Sequence, residues 1–142
     1  MSPEDVAARA AEAMWAGDAA SRALGMELVE VAPGRATMRM TVRDDMVNGH
    51  AIGHGGLTFT LADSAFAFAC NSYNRSTVAA EATVRFLAPT RLGDVLEATA
   101  VERSRAGRDG VYDVTVRVGR TVVAEFTGRS REVRGVLFEE GS

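Results

Sequence analysis

A long apolar segment, from His54 to Cys70, separates two groups of segments in which apolar and polar residues alternate. Apolar residues would cover every side of a helix formed by this segment, which predicts a helix buried in the protein interior. The alternating segments predict β-strands, because successive residues of a strand point to opposite faces of the sheet. Short turns join these strands, so the sheet should be largely antiparallel. Together the elements predict an α+β fold in which an antiparallel sheet wraps a long central helix.

Turn and cap residues set the boundaries of the other elements. Ser2, Pro3 and the acidic residues behind them are typical of the start of an amphipathic helix, here over about residues 3–16. The predicted strands cover about 26–31, 35–42, 94–102, 111–118 and 121–129, together with one that begins near Thr77 and ends before Pro89. No linker or repeat divides the sequence, so residues 1–142 are predicted to form a single domain.

Charge and composition argue against several classes of protein. The net charge is −3 and no run of basic residues occurs, whereas nucleic-acid binders cluster basic side chains against phosphates. Cys70 is the single cysteine, so the fold needs no disulfide and the cytoplasm is the expected location. Glu4, Asp5 and Glu12 lie where a secretory signal would be basic and then apolar. The apolar segment contains Asp63 and is too short to span a bilayer, so no membrane association is predicted.

Asp63 is the only carboxylate in the apolar segment. An unpaired buried carboxylate costs several kcal/mol unless it is neutralised or hydrogen-bonded, so some other group or a function must compensate for it. One explanation is structural: the side chain caps a neighbouring loop or pairs with a cation such as Arg85. The explanation we favour is functional, because buried carboxylates with shifted pKa values concentrate at active sites.

The segment before this helix, residues 48–56, contains four glycines and both histidines of the protein. Such a loop allows the backbone to approach a ligand closely. Gly55 and Gly56 would begin the helix, where free N–H groups and the positive end of the helix dipole favour negative charge. The segment therefore predicts an oxyanion hole, with a simple glycine-rich chain reversal as the alternative.

The spacing of Gly55 and Asp63 constrains how they act together. Eight residues of helix span about 12 Å along the axis, much farther than an aspartate side chain reaches. If both groups act on one carbonyl, they must come from two subunits whose helices run antiparallel across a two-fold axis. We therefore predict a homodimer with two composite sites.

Other chemistries are less well supported by the sequence. His50 and His54 are four residues apart, but the surrounding glycines disfavour a regular helix there and no third histidine exists, so no metal site is predicted. Cys70 has no neighbouring base and is interpreted as a small core residue. Ser64 lacks the Gly-x-Ser-x-Gly elbow of serine hydrolases. Phe66 should pack in the core, with lining of an acyl pocket as the alternative.

Several short motifs resemble a known family. They are Asn48-Gly49-His50, His54-Gly55-Gly56, Leu61-Ala62-Asp63, Thr83-Val84-Arg85-Phe86-Leu87-Ala88-Pro89, Gly93-Asp94 and Gly110-Val111-Tyr112-Asp113-Val114. In combination they resemble the signature of hotdog-fold acyl-CoA thioesterases of the phenylacetate-degradation (PaaI) type. The resemblance implies a hotdog fold, in which the sheet curls around the central helix. It also implies a dimer with a continuous sheet, usually paired into a homotetramer, and no cofactor beyond the coenzyme A of the substrate.

The resemblance implies roles for four residues. Asp63 would be the general base for water, or the nucleophile that forms an anhydride. The Gly55 N–H of the other subunit would polarise the thioester carbonyl. Asn48 would orient water or the carbonyl, and His54 would help to shape the loop.

The resemblance also suggests where the substrate binds. Gly56 would contact the substrate. Met46 and Phe66 are the apolar candidates for the acyl pocket, and the sequence leaves open whether they face it or the core. The positive side chains expected to meet the phosphates of coenzyme A are Arg85, Arg91 and Arg105.

The implied reaction is hydrolysis of an aryl-acetyl-CoA, such as phenylacetyl- or hydroxyphenylacetyl-CoA, to the free acid and CoA. Two alternatives stay open at the level of sequence. One is a hotdog hydratase or dehydratase that acts on acyl thioesters, and the other is a non-catalytic module that binds acyl-CoA.

Overall fold

The computed structural model describes residues 1–141 and confirms the predicted α+β architecture. Within these residues the α-helices are α1 (Pro3–Gly17), α2 (Ala19–Ala23) and α3 (Gly55–Cys70). The strands are β1 (Glu27–Ala32), β2 (Arg35–Thr41), β3 (Thr77–Phe86), β4 (Val95–Ala106), β5 (Asp109–Val118) and β6 (Thr121–Glu132). A short 3₁₀ turn (Asp44–Met46) precedes the loop that leads into α3.

The six strands form one sheet in the order β1-β2-β4-β5-β6-β3, and every neighbouring pair is antiparallel. Helix α3 contacts all six strands, so the sheet wraps the helix as expected. Hairpins join β1 to β2, β4 to β5 and β5 to β6. Helix α3 lies in the connection between β2, near one edge of the sheet, and β3, at the other edge. This connection places the helix across the inner face of the sheet.

The core lies between α3 and the inner face of the sheet. Phe66 of α3 is 1% exposed and its ring contacts the rings of Tyr112 and Phe126. Gly128 on β6 lies directly against it, because a Cβ added there would be 2.8 Å from the Phe66 ring. The absence of a side chain at this position allows α3 to sit close to β6.

Strand β3 departs from the predicted pattern. Its alternating residues predict one apolar face that includes Val78 and Phe86, yet these two are 50% and 56% exposed. An irregularity between Ala79 and Glu81 shifts the register, so that Val78 pairs with the exposed Arg131 and lies on the other face of the sheet. Ala82 and Val84 pack against the core, whereas Phe86 at the end of this edge strand is largely uncovered within the subunit. Alternation identified the strand correctly, but it could not reveal the bulge.

Two predicted strands extend farther than the sequence pattern indicated. β4 continues to Ala106 and β6 to Glu132, beyond the last clearly apolar positions. Both faces of β4 are exposed at its end, whereas β6 keeps the polar Ser130 buried between exposed arginines. Ion pairs between neighbouring strands are found at these ends, such as that of Arg103 with Asp113 across β4 and β5. Alternation of apolar residues cannot detect such segments, because no apolar side chain marks a buried face there.

Candidate active site

The loop before α3 is held by the side chain of Asn48. Its amide oxygen accepts hydrogen bonds from the N–H groups of His50 (2.9 Å) and Ile52 (3.2 Å). The backbone N–H of Asn48 donates to the Ile52 carbonyl at 2.8 Å, and Ala51 adopts a positive φ of 59°. Asn48 therefore stabilises a tight turn with its oxygen, while its exposed NH₂ group donates to no residue in the range 1–141.

Two backbone contacts fix the position of this loop on the subunit. The Gly53 N–H donates to the Thr90 carbonyl at 2.8 Å, and the His54 N–H donates to the Met46 carbonyl at 2.8 Å. A Cβ at Gly53 would overlap the Thr90 hydroxyl, so only glycine permits this approach. The loop is thus tied on both sides just before the helix begins.

His54 is the N-cap of α3. Its Nδ1 accepts a hydrogen bond from the Gly56 N–H at 3.1 Å, and its carbonyl accepts one from the Leu57 N–H at 3.0 Å. Nδ1 must be unprotonated to accept this bond. Of the first three N–H groups of α3, only that of Gly55 has no acceptor within residues 1–141. The helix start therefore offers one free donor, from Gly55, whereas the N–H of Gly56 is already used.

Gly55 lines a pocket of about 360 Å³ between the start of α3 and the end of β3. The pocket walls are mostly apolar and include Ile52, Phe86, Leu87, Pro89 and Val123. Thr58 and Thr90 are its hydroxyl-bearing members. The Phe86 ring lies close to Gly55, since a Cβ there would be 3.1 Å from it. The residue that carries the free donor therefore borders a mainly apolar pocket.

Asp63 is half-buried in the middle of α3, and its carboxylate has no hydrogen bond or ion pair with any residue of the described chain. Burial raises its pKa above the usual value for an aspartate. Arg85 does not neutralise it, because that guanidinium pairs with Glu125 at 2.6 Å. The structural explanation that Arg85 pairs with Asp63 is therefore wrong.

Asp63 lies on the one open side of α3. Gly56, Thr60, Asp63 and Ala67 follow one another at helical spacing, and all are partly or fully exposed, while most other residues of the helix are buried. We call these four residues the open stripe. The prediction that α3 is buried on every side is wrong at the open stripe. The sheet covers only the side of the helix opposite to this stripe. Gly55 and Asp63 belong to the same regular helix and are about 12 Å apart along its axis.

Two residues predicted to line an acyl pocket lie in the core. Met46 is buried beneath the loop, and Phe66 is enclosed by aromatic rings on the sheet side of α3. Neither side chain borders the pocket beside Gly55. Their positions favour a packing role.

The three arginines expected near phosphates occupy different places. Arg85 is exposed on the edge strand, and Arg105 stacks over the Tyr73 ring at 3.5 Å near the far end of β4. Arg91 forms a backbone bridge with Ile52, so it alone adjoins the loop before α3. The sequence could not rank these residues because it does not show which of them lies near the helix start.

Most residues that line this pocket were not among the predicted site residues, and Thr58 and Phe86 are two of them. Thr58 lies one helical turn after Gly55, and that spacing was a usable signal. Phe86 belonged to a recognised strand, but nothing in the sequence indicated that β3 ends beside the start of α3.

Other chemistries find little support in the fold. Cys70 is buried, its thiol donates to the Ala67 carbonyl, and burial raises its pKa to about 12. Within residues 1–141 no cluster of three or more His, Cys, Asp or Glu side chains is arranged to hold a metal ion. In the same range, no helix has the length and apolar character needed to cross a membrane.

Comparison with known proteins identifies the family. The sequence pattern of the thioesterase superfamily matches residues 50–125, more than half of the chain. The chain belongs to the thioesterase superfamily. The match includes most of the loop, α3, β3, β4, β5 and part of β6. The thioesterase prediction is confirmed together with the hotdog fold.

Individual relatives of this thioesterase agree. The acyl-coenzyme A thioesterase PaaI of Escherichia coli (strain K12) is 43% identical over 131 residues, which are 92% of this chain and 94% of that protein. The solved structure of the E. coli PaaI protein, from the phenylacetic acid degradation operon, superposes with a TM-score of 0.93 at 41% identity and covers 95% of this chain and 99% of that one. A point mutant of the phenylacetic acid degradation protein PaaI from Thermus thermophilus has a TM-score of 0.77 at 36% identity, with coverage of 80% and 97%.

Proposed function

We propose that this thioesterase hydrolyses acyl-CoA thioesters, with Asp63 as the residue that activates water. The observation that carries the proposal is the unpartnered, half-buried Asp63 carboxylate on the open stripe of α3. A carboxylate whose pKa is raised by burial is a stronger base than an exposed one. The name of the E. coli relative, an acyl-coenzyme A thioesterase, supports the same substrate class.

The proposed reaction begins when the Asp63 carboxylate accepts a proton from water. The water oxygen then forms a bond to the thioester carbon, and the carbonyl oxygen becomes negatively charged. The free N–H of Gly55 stabilises that charge by a hydrogen bond, helped by the positive end of the α3 dipole. The C–S bond breaks, the CoA sulfur takes up the proton that Asp63 holds, and the products are a carboxylic acid and CoA. In the alternative route, the Asp63 carboxylate attacks the carbonyl carbon and the C–S bond breaks to release CoA. Water then hydrolyses the resulting anhydride and restores the carboxylate.

The proposal includes a homodimer with two composite sites, each with Asp63 from one subunit and Gly55 from the other. The separation of about 12 Å on one helix supports it, because a single chain cannot bring both groups to one carbonyl. The open stripe leaves room for a second α3, and β3 presents an unpaired edge to a second sheet. A homotetramer built from two such dimers, in the cytoplasm and without a cofactor, completes the proposal.

For the substrate we propose an aryl-acetyl-CoA, such as phenylacetyl- or hydroxyphenylacetyl-CoA. The mainly apolar walls of the pocket beside Gly55, with Phe86 and Val123, suit an aromatic acyl group. The operon named for the E. coli structure points to the same acid. Arg91, which adjoins the loop, is the cation we propose for the phosphates of CoA, ahead of Arg85 and Arg105.

A thiol-release assay over a panel of acyl-CoA substrates tests this function. We expect Asp63→Asn to fold and to lose turnover by about 10²- to 10⁴-fold, the usual contribution of a general base. Asp44→Asn, which removes an exposed carboxylate, is the matched control and should keep the wild-type rate. A wild-type rate for Asp63→Asn, or hydration of an enoyl-CoA without release of thiol, would contradict the proposal.

A further inference from the structure

Thr58 has a buried hydroxyl that the fold does not use. The residue is 5% exposed, and its side chain forms no hydrogen bond with any residue in the range 1–141. Threonine in a helix commonly donates to the carbonyl four residues earlier, as Thr60 does to Gly56 at 2.8 Å. Thr58 does not form the corresponding bond, although it lies in the same helix only two residues before Thr60. Its hydroxyl is therefore available to a ligand.

The Thr58 oxygen can meet a ligand only in the pocket beside Gly55. No fully buried side-chain oxygen or nitrogen within residues 1–141 lacks a partner, so the unbonded Thr58 oxygen must reach solvent-accessible space. On one side Thr58 borders, together with Met40 and Leu96, a gap that has no room for a water molecule. On the other side it borders the apolar pocket of about 360 Å³. The hydroxyl is thus a polar group in a mainly apolar wall.

Helix geometry brings this hydroxyl towards the free N–H of Gly55. Gly55 is the first residue of α3 and Thr58 the fourth, so they share one side of the helix about 4.5 Å apart along the axis. Side chains of a helix tilt towards its N-terminus, so the Thr58 side chain covers the turn that contains Gly55. Both residues belong to one chain and border the same pocket.

We propose that the Thr58 hydroxyl donates a second hydrogen bond, beside that of the Gly55 N–H, to the thioester oxygen as it becomes negative. This inference rests on the proposed thioesterase reaction and deepens it, because it adds a catalytic residue that touches the reacting group. The hydroxyl keeps its proton throughout and releases the oxygen when the carbonyl re-forms and the C–S bond breaks. In a mainly apolar pocket, a donor held in place stabilises the transition state more than the uncharged substrate.

Substitutions at position 58 test the proposal in the full-length protein with phenylacetyl-CoA and a thiol-release assay. Thr58→Val keeps the side-chain shape and removes the hydroxyl, and we expect it to lower kcat by about 10²-fold, with little change in KM. Thr58→Ser keeps the hydroxyl and should retain most of the activity. Thr115→Val on the outer face of β5 is the matched control, with wild-type kinetics expected.

Stability and pH dependence separate a catalytic role from a structural one. Thr58→Val should keep the melting temperature of the wild type, since no hydrogen bond within the chain is lost. The acidic limb of its pH–rate profile should be unchanged, because that limb reports the Asp63 base. A wild-type kcat for Thr58→Val, or a rise in KM alone, would overturn the inference while the proposed function stands. A wild-type enzyme that releases no thiol from any acyl-CoA would overturn both.

Discussion

The burial of the Asp63 carboxylate lowers the stability of the folded protein and also makes the carboxylate a stronger base. The carboxylate is half-buried and unpartnered within the described chain, and burial raises its pKa. A group in this state destabilises the folded protein when it is ionised, which is the form that the proposed reaction requires. Such a conflict between stability and activity is common where a functional group must stay uncompensated.

The stability effect of Asp63 should depend on pH. A carboxyl whose pKa is higher in the folded than in the unfolded chain stabilises the fold below its unfolded pKa, and that contribution is lost as pH rises through the folded pKa. Asp63→Asn should therefore be more stable than the wild type at neutral pH, and the difference should shrink as the pH falls below the ordinary aspartate range.

Urea unfolding of the wild type and of Asp63→Asn measures this difference in the free energy of unfolding. Both proteins are unfolded at neutral pH and at a pH below the ordinary aspartate range, at one protein concentration. Asp44→Asn serves as the control, because it removes an exposed carboxylate. A difference that stays constant between the two pH values, or a less stable Asp63→Asn at neutral pH, contradicts the expected role of burial.

At the scale of elements, the contact between α3 and β6 depends on one missing side chain. Phe66 occupies the space where Gly128 has no Cβ, and the rings of Tyr112 and Phe126 prevent it from moving aside. This contact holds the sheet-facing side of α3, whose opposite side is the open stripe. The position of Asp63 relative to the sheet thus depends on packing on the other side of its helix.

Gly128→Ala should therefore destabilise the protein. A Cβ at 2.8 Å from the Phe66 ring forces a shift in a packed core, and overpacking of this kind costs about 1–3 kcal/mol. Chemical denaturation gives the free energy of unfolding. Gly17→Ala is the control, since no atom lies within 4 Å of a Cβ at that position.

A double-mutant cycle with Phe66→Leu identifies the cause. The smaller side chain should recover part of the stability lost in Gly128→Ala, because it frees the space that the new methyl group needs. If the two substitutions are additive, the Phe66 contact is not the source of the loss.

At the scale of the whole molecule, a single subunit leaves two features incomplete. The open stripe of α3 contains an unpartnered carboxylate, and the edge strand β3 exposes apolar side chains such as Val78 and Phe86. Contact with a second copy would cover both, and it would bring Asp63 to the Gly55 of the partner. These two incomplete features support the proposed homodimer independently of the reaction.

Complementation tests the composite site. Gly55→Pro removes the N–H donor, and proline is tolerated at the first position of a helix, while Gly55→Ala adds the same Cβ and keeps the donor. Homodimers of Gly55→Pro and of Asp63→Asn should both be nearly inactive. A heterodimer of the two should regain up to about half of the wild-type turnover, since one of its two sites then has both native groups.

Purification with two different affinity tags isolates the heterodimer for the thiol-release assay. The heterodimer of Gly55→Ala with Asp63→Asn shows how much of any deficit comes from the Cβ rather than from the lost donor. Absence of recovery in a verified heterodimer means that each site lies within one chain.

Most secondary structure could be predicted from the sequence, and so could the positions of Gly55 at the start of α3 and of Asp63 within it. The apolar segment identified α3, alternation identified the strands, and the glycines with Asp63 marked the loop and the carboxylate on which the proposed function rests. These features are local, because helical and strand periodicity and the lack of a Cβ act on neighbouring residues. The five-residue helix α2 and the charged ends of β4 and β6 lack such a period, and the sequence did not reveal them.

Only the tertiary structure decided which distant segments meet. It placed the end of β3 beside the start of α3, so that Phe86 and Thr58 border one pocket with Gly55. It also showed which side of α3 the sheet leaves open, and that Met46 and Phe66 lie in the core. The physical reason is that periodicity identifies the face of an element that should be buried, whereas strand order and packing between distant segments determine what covers that face.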